Sequence, residues 1–147
     1  MSALHDRIQS DLVAARKGQD KPGILLLGTL LADLRNREIE LRRVLGDDDV
    51  VEVVRRGIKR RRESLEMYRA GGRPELAAQE EAEIARLEHF LPAAVDPAEV
   101  RAAVQAAIAA GAASVGAVMG QVMPRFKGRV EGGVINAIAR EALAARP

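Results

Sequence analysis

The sequence predicts an all-α protein in two domains, and three observations lead there. Apolar residues make up 48% of the 147 and charged residues 30%, yet there is no Trp, one Tyr and two Phe. The apolar content is therefore mostly Ala, Leu, Val and Ile, which suits closely packed helices better than sheets with bulky faces. Apolar residues recur every three to four positions, with no alternating strand pattern and no internal repeat. The breaks between these amphipathic stretches are marked by glycines and prolines.

Taken in order, Ser2 can cap a first helix whose stripe is Leu4, Ile8, Leu12 and Ala15, broken by "KGQDKPG". Pro22 suits a first helical turn, and a second helix is expected to run to about Leu45 and end at Gly46. The triple "DDD" at 47–49 puts negative charge where the dipole of a third helix favours it, and Gly71–Gly72 ends that helix. A fourth runs from Pro74 to Leu91–Pro92. "LPAAVDPAEV" is the domain boundary, separating an N-terminal helical domain (1–92) from a C-terminal three-helix bundle (93–147). Asp96 and Glu99 around Pro97 predict a capping box for helix five, which lasts to Gly111. Ser114 caps helix six, which meets Pro124 and ends near Gly128; helix seven covers roughly 132–145.

Composition narrows the function. Without cysteine there is no disulfide or thiolate metal site, which is compatible with a reducing, cytoplasmic setting. Charges within the first ten residues argue against a secretory leader. The run "GILLLGTLLADL" is about half the length needed to cross a bilayer, so a buried helix and no membrane are expected. The net charge is +2; cations and carboxylates balance in 1–92, and the excess falls in 93–147. That is too little to argue for nucleic acid globally, so any such case rests on local clusters.

Two charged groups interrupt apolar stripes. On helix three, Val50, Val54, Ile58, Leu65 and Tyr68 share a face, with Arg61 in its middle. The other cations of "RRGIKRRR" point to several sides, so the run is not one basic stripe. On helix four, Glu80 and Glu83 sit inside the stripe of Leu76, Ile84, Leu87 and Leu91. Isolated charges are costly to desolvate, so Arg61 is expected to pair with Glu80, Glu83 or both and fix the register of the two helices. Acid–base work by two carboxylates is the alternative. No P-loop, dinucleotide fingerprint, nucleophile elbow or zinc-binding helix pattern is present, and His5 and His89 lack a second ligand at metal spacing. The residues themselves predict no catalytic site, no metal and no cofactor.

The C-terminal third is more specific. "GQVMPRFKG", followed by "GGVINAIAREAL", resembles the tail domain of the B subunit of glutamyl/aspartyl-tRNA amidotransferase. "RRRESLEMYRAGGRPELAAQEEAEIARLEHFLP" is similar to the free-standing YqeY-like proteins that carry the same tail. On that match Arg61, Ser64, Tyr68, Arg73, Glu80, Glu83, Leu91 and Pro92 fall on family positions. Departures include Gly23 and Gly28, where these proteins usually carry Arg or another polar residue, Ala117 in place of a common Lys, and Glu131 in place of Asp.

The resemblance implies a non-catalytic accessory protein related to tRNA-dependent amidation. Its implied partners are tRNA and an amidotransferase or aminoacyl-tRNA synthetase. The implied RNA contacts are Arg125, Lys127, Gly128 and Arg129. The same cations read equally as a basic last turn complementing the dipole of helix six. A second reading is a protein-interaction module without RNA, in which Gly116 and Gly120 allow close helix approach and Met119 and Met123 supply adaptable apolar contacts. Amidotransferase activity, a carbon–nitrogen ligase with glutamine as amido donor, is implied only by family resemblance.

Overall fold

A helix begins where some group can take the backbone N–H bonds that its first turn leaves free. The computed structural model describes residues 2–146. Among them it holds seven helices and no strand. In α1 (Ala3–Lys17) the Ser2 hydroxyl accepts the His5 N–H, and in α2 (Lys21–Leu41) the Asp20 carboxylate accepts that of Gly23. In α3 (Asp47–Ala70) Asp49 reaches back to the Gly46 N–H. Prolines Pro74 and Pro97 open α4 (Pro74–Glu88) and α5 (Pro97–Ala109), where no N–H is needed. Ser114 caps α6 (Val115–Phe126), and α7 (Gly132–Ala145) closes the fold.

Several helix ends and caps differ from expectation. The fourth helix, expected to reach Leu91–Pro92, ends at Glu88, and Phe90 and Leu91 follow it in a turn whose N–H groups bond the Leu87 and Glu88 carbonyls. The second helix stops at Leu41, because Arg42 turns left-handed at φ 54° and Arg43 swings back to bond Asp49 at 2.6 and 2.9 Å. Leu45, expected in the helix, instead plugs the core from the loop. At α5 the expected capping box is replaced by a simple cap: the Asp96 carboxylate accepts the Ala98 N–H, while the Glu99 N–H bonds the Asp96 carbonyl at 2.9 Å. The sixth helix ends at Phe126, and Gly128, at φ +76°, shapes the turn after it.

The chain divides into two compact units, one through Leu91 and one from Pro92. In the first, α3 and α4 form the most extensive helix pair, and α1 packs on both α2 and α3. Its core is Ile8 and Leu12, Leu26, Leu30 and Leu34, Val50, Val54 and Ile58, with Ile84 and Leu87. In the second, α5, α6 and α7 each pack on the other two around Val104, Val118, Phe126 and Ile135. No helix among the described residues is long and apolar enough to cross a membrane.

Candidate functional site

The interrupted stripes of α3 and α4 meet each other. Arg61 is only 17% exposed and Glu83 22%, and the Arg61 Nε donates to the Glu83 Oε2 at 3.0 Å. A second guanidinium nitrogen donates to the Gly57 carbonyl, one turn back on α3, at 3.1 Å. Gly57 makes the room: a Cβ there would stand 3.3 Å from Arg61 Nη1 and 3.7 Å from Leu87 Cδ1. The arginine is thus pinned between its own helix and the next.

Glu80 stays outside this pair. Its Oε2 is buried with no hydrogen-bond partner, because Arg61 is turned toward Glu83 and Gly57. Burial raises the Glu80 pKa, the negative charge of Glu83 raises it further, and Arg61 offsets part of this. Ser64 and Tyr68, also on the matched motif, are half-buried on α3. Such a group can lock two helices in register, with Glu80 holding its proton to a higher pH than an ordinary glutamate.

The remaining arginines of "RRGIKRRR" are largely matched. Arg56 pairs with Glu52 at 2.6 Å, Arg60 with Asp33 at 3.0 Å, and Arg62 with Glu88 at 3.2 Å. These exposed pairs add little stability, but they cancel the charge a phosphate backbone would need. The arginines of the helix that looks most basic in sequence are thus largely faced by carboxylates.

The second unit places its cations differently. Phe126, fully buried, ends α6, and its carbonyl accepts the N–H groups of Arg129 at 2.8 Å and Val130 at 3.0 Å. Arg125 and Arg129 stand at the Phe126 ring, their guanidinium carbons 5.7 and 5.9 Å from its centroid. Both side chains are exposed, as is Lys127 between them. The ring holds two guanidinium groups in place while leaving N–H groups toward solvent, an arrangement suited to phosphate oxygens. Met123 packs on Gly132, where a Cβ would lie 3.3 Å from its Cε, and so ties the turn to α7. Within the chain Gly116 and Gly120 make no close helix approach: both are exposed, and a Cβ on Gly120 would meet open space.

Among the described residues no group of three or more His, Cys, Asp or Glu is placed to hold a metal ion. Sequence reading missed the Asp20–Arg86 pair, a two-bond contact at 2.7 and 3.1 Å between the start of α2 and the end of α4. The signal was Gly23. A Cβ there would lie 2.6 Å from Arg86 Nη1, so the guanidinium of Arg86 fills the space a side chain at 23 would take.

These features define a class: all-helical proteins in which a helical pair locked by charge precedes a small helical unit with a cationic turn between its last two helices. The family model described as Yqey-like protein matches residues 5–143, and the chain belongs to that family. It is also 31% identical over 85 residues to a Schizosaccharomyces pombe protein described as uncharacterized, which covers 58% of this chain and 69% of the relative.

Proposed function

We propose that this protein is a non-catalytic accessory factor that binds tRNA through the turn after α6 and works alongside the cytoplasmic machinery of tRNA-dependent amidation. In this reading the two units are separate domains, and α5–α7 form the three-helix bundle that presents the turn. The observation that carries it is the pair of exposed guanidinium groups ordered on Phe126, with Lys127 between them. The resemblance of "GQVMPRFKG" to the amidotransferase tail supports the same turn.

Three phosphate contacts give a modest affinity and a shallow salt dependence. The slope of log K against log salt is expected at about −2 to −3. Fluorescence anisotropy with labelled tRNA, from low salt upward, measures it. Lys127→Ala lowers affinity and flattens the slope by about one unit. A flat titration at low salt, or a slope unchanged in Lys127→Ala, refutes the proposal.

A second reading, protein docking without RNA, rests on the exposed small residues Gly116, Ala117 and Gly120 along α6. A pull-down with and without RNase separates the two, since a direct protein partner survives the nuclease.

A further inference from the structure

We infer that a cleft in the first unit binds a small zwitterion, an amino acid with an aliphatic side chain. The cleft has a volume of about 440 Å³, within the range of small-ligand sites. Leu27, Ala14, Ala15 and the buried Phe90 give it an apolar lining. Arg7 and Asp11 line it one helical turn apart on α1, a spacing at which such a pair can bridge.

Here they do not. The Arg7 guanidinium lies over the Phe90 ring, 5.1 Å from its centroid, and donates through Nη2 to the His89 carbonyl at 2.9 Å. Asp11 is left with neither a hydrogen bond nor an ion pair among the described residues. The other two charges of the cleft, Asp20 and Arg86, satisfy each other. One carboxylate and one partly used guanidinium thus stand side by side beside an apolar lining.

A simple cation would meet Asp11 but face Arg7, and a simple anion the reverse. A molecule with ammonium and carboxylate on one carbon answers both and lays its side chain against Leu27 and Phe90. Neither interaction is needed for the proposed binding of RNA, which uses the other unit.

The test is a titration of the full chain, followed by backbone amide shifts, with L-leucine and with its two halves, isoamylamine and isocaproate. The expected result is saturable shifts at Asp11, Ala14, Leu27 and Phe90 with leucine. Asp11→Asn weakens leucine and isoamylamine by at least about tenfold and leaves isocaproate unchanged. Arg7→Gln does the opposite for the two halves and also weakens leucine. Asparagine at 11 keeps the shape of the residue, and far-UV circular dichroism establishes that both variants are folded before titration. No saturable shift up to about 10 mM leucine overturns the inference, as does leucine binding that both variants leave unchanged. Isoamylamine binding as tightly as leucine overturns it too.

Discussion

Replacing Arg61 with Met removes one partner of the α3–α4 ion pair and leaves its apolar stem in place. Glu83 then loses its counter-ion, and two carboxylates about one turn apart share a largely buried site. Breaking a fully buried pair from one side costs about 3–5 kcal/mol. With exposures of 17% and 22% the pair is roughly four-fifths buried, so a cost of about 2–3 kcal/mol is expected. For a unit of this size that lowers the melting temperature by about 10–20 °C. The one tyrosine, Tyr68, packs against the core on α3, so its fluorescence during urea unfolding reports this unit. Glu83→Leu alone leaves Arg61 uncompensated, whereas Arg61→Met with Glu83→Leu leaves no isolated partner. The double variant is therefore expected to be more stable than the sum of the single losses predicts, by at least about 1 kcal/mol. Additive losses, or an Arg61→Met protein as stable as the parent, would falsify the assignment of this pair as the lock between α3 and α4.

Glu80→Gln is expected to stabilise the first unit by about 1 kcal/mol at neutral pH, since it removes a buried carboxylate oxygen without a partner. The folded Glu80 pKa lies above its unfolded value, so its charge costs stability as pH rises through the carboxylate range. The gain in Glu80→Gln should therefore shrink as pH falls into that range, and melts at a series of pH values check it. Ser2→Ala removes both the cap of α1 and the hydroxyl that donates to Asp47, at a cost of about 1 kcal/mol in thermal melts. Asp47 is lowered by the Ser2 hydroxyl and then by the Leu4 N–H, so its contribution is present above the ordinary carboxylate pKa and fades as pH falls through the lowered one. The deficit of Ser2→Ala should fade with it. Gly128→Ala places a Cβ at φ +76° and is expected to cost about 1 kcal/mol, read as a lower melting temperature for the second unit.

Most of the fold was legible because the chain announces where its helices begin. Ser2, Asp96 and Ser114 act as caps in the structure, and Pro74 and Pro97 open the helices they precede. The misplaced end of α2 had no comparable local signal. An arginine in the left-handed region is stabilised by what surrounds it, here Leu45 filling the core and Asp49 holding Arg43. Only the tertiary structure supplies that stabilisation.

The candidate sites split along the same line. Arg61 and Glu83 could be read from the sequence because a charge inside an apolar stripe is a local anomaly, and burial forces it to find a partner. Which carboxylate it would choose could not be read. That depends on Gly57 fixing the guanidinium from behind, a matter of a few ångströms between two helices. At the cationic turn the three cations are plain in "RFKGR", yet their arrangement depends on Phe126 being buried and still offering its ring to Arg125 and Arg129. The cleft is harder still, since Arg7 and Phe90 are distant in sequence and meet only because α1 returns to the end of α4. The contrast bears on how charge should be weighed. The densest basic run, on α3, is neutralised by carboxylates on α2, α3 and α4, whereas three cations near the end of α6 stay exposed. A count of cations along the chain would favour the first as an RNA surface; the carboxylates placed beside its arginines weigh against that count.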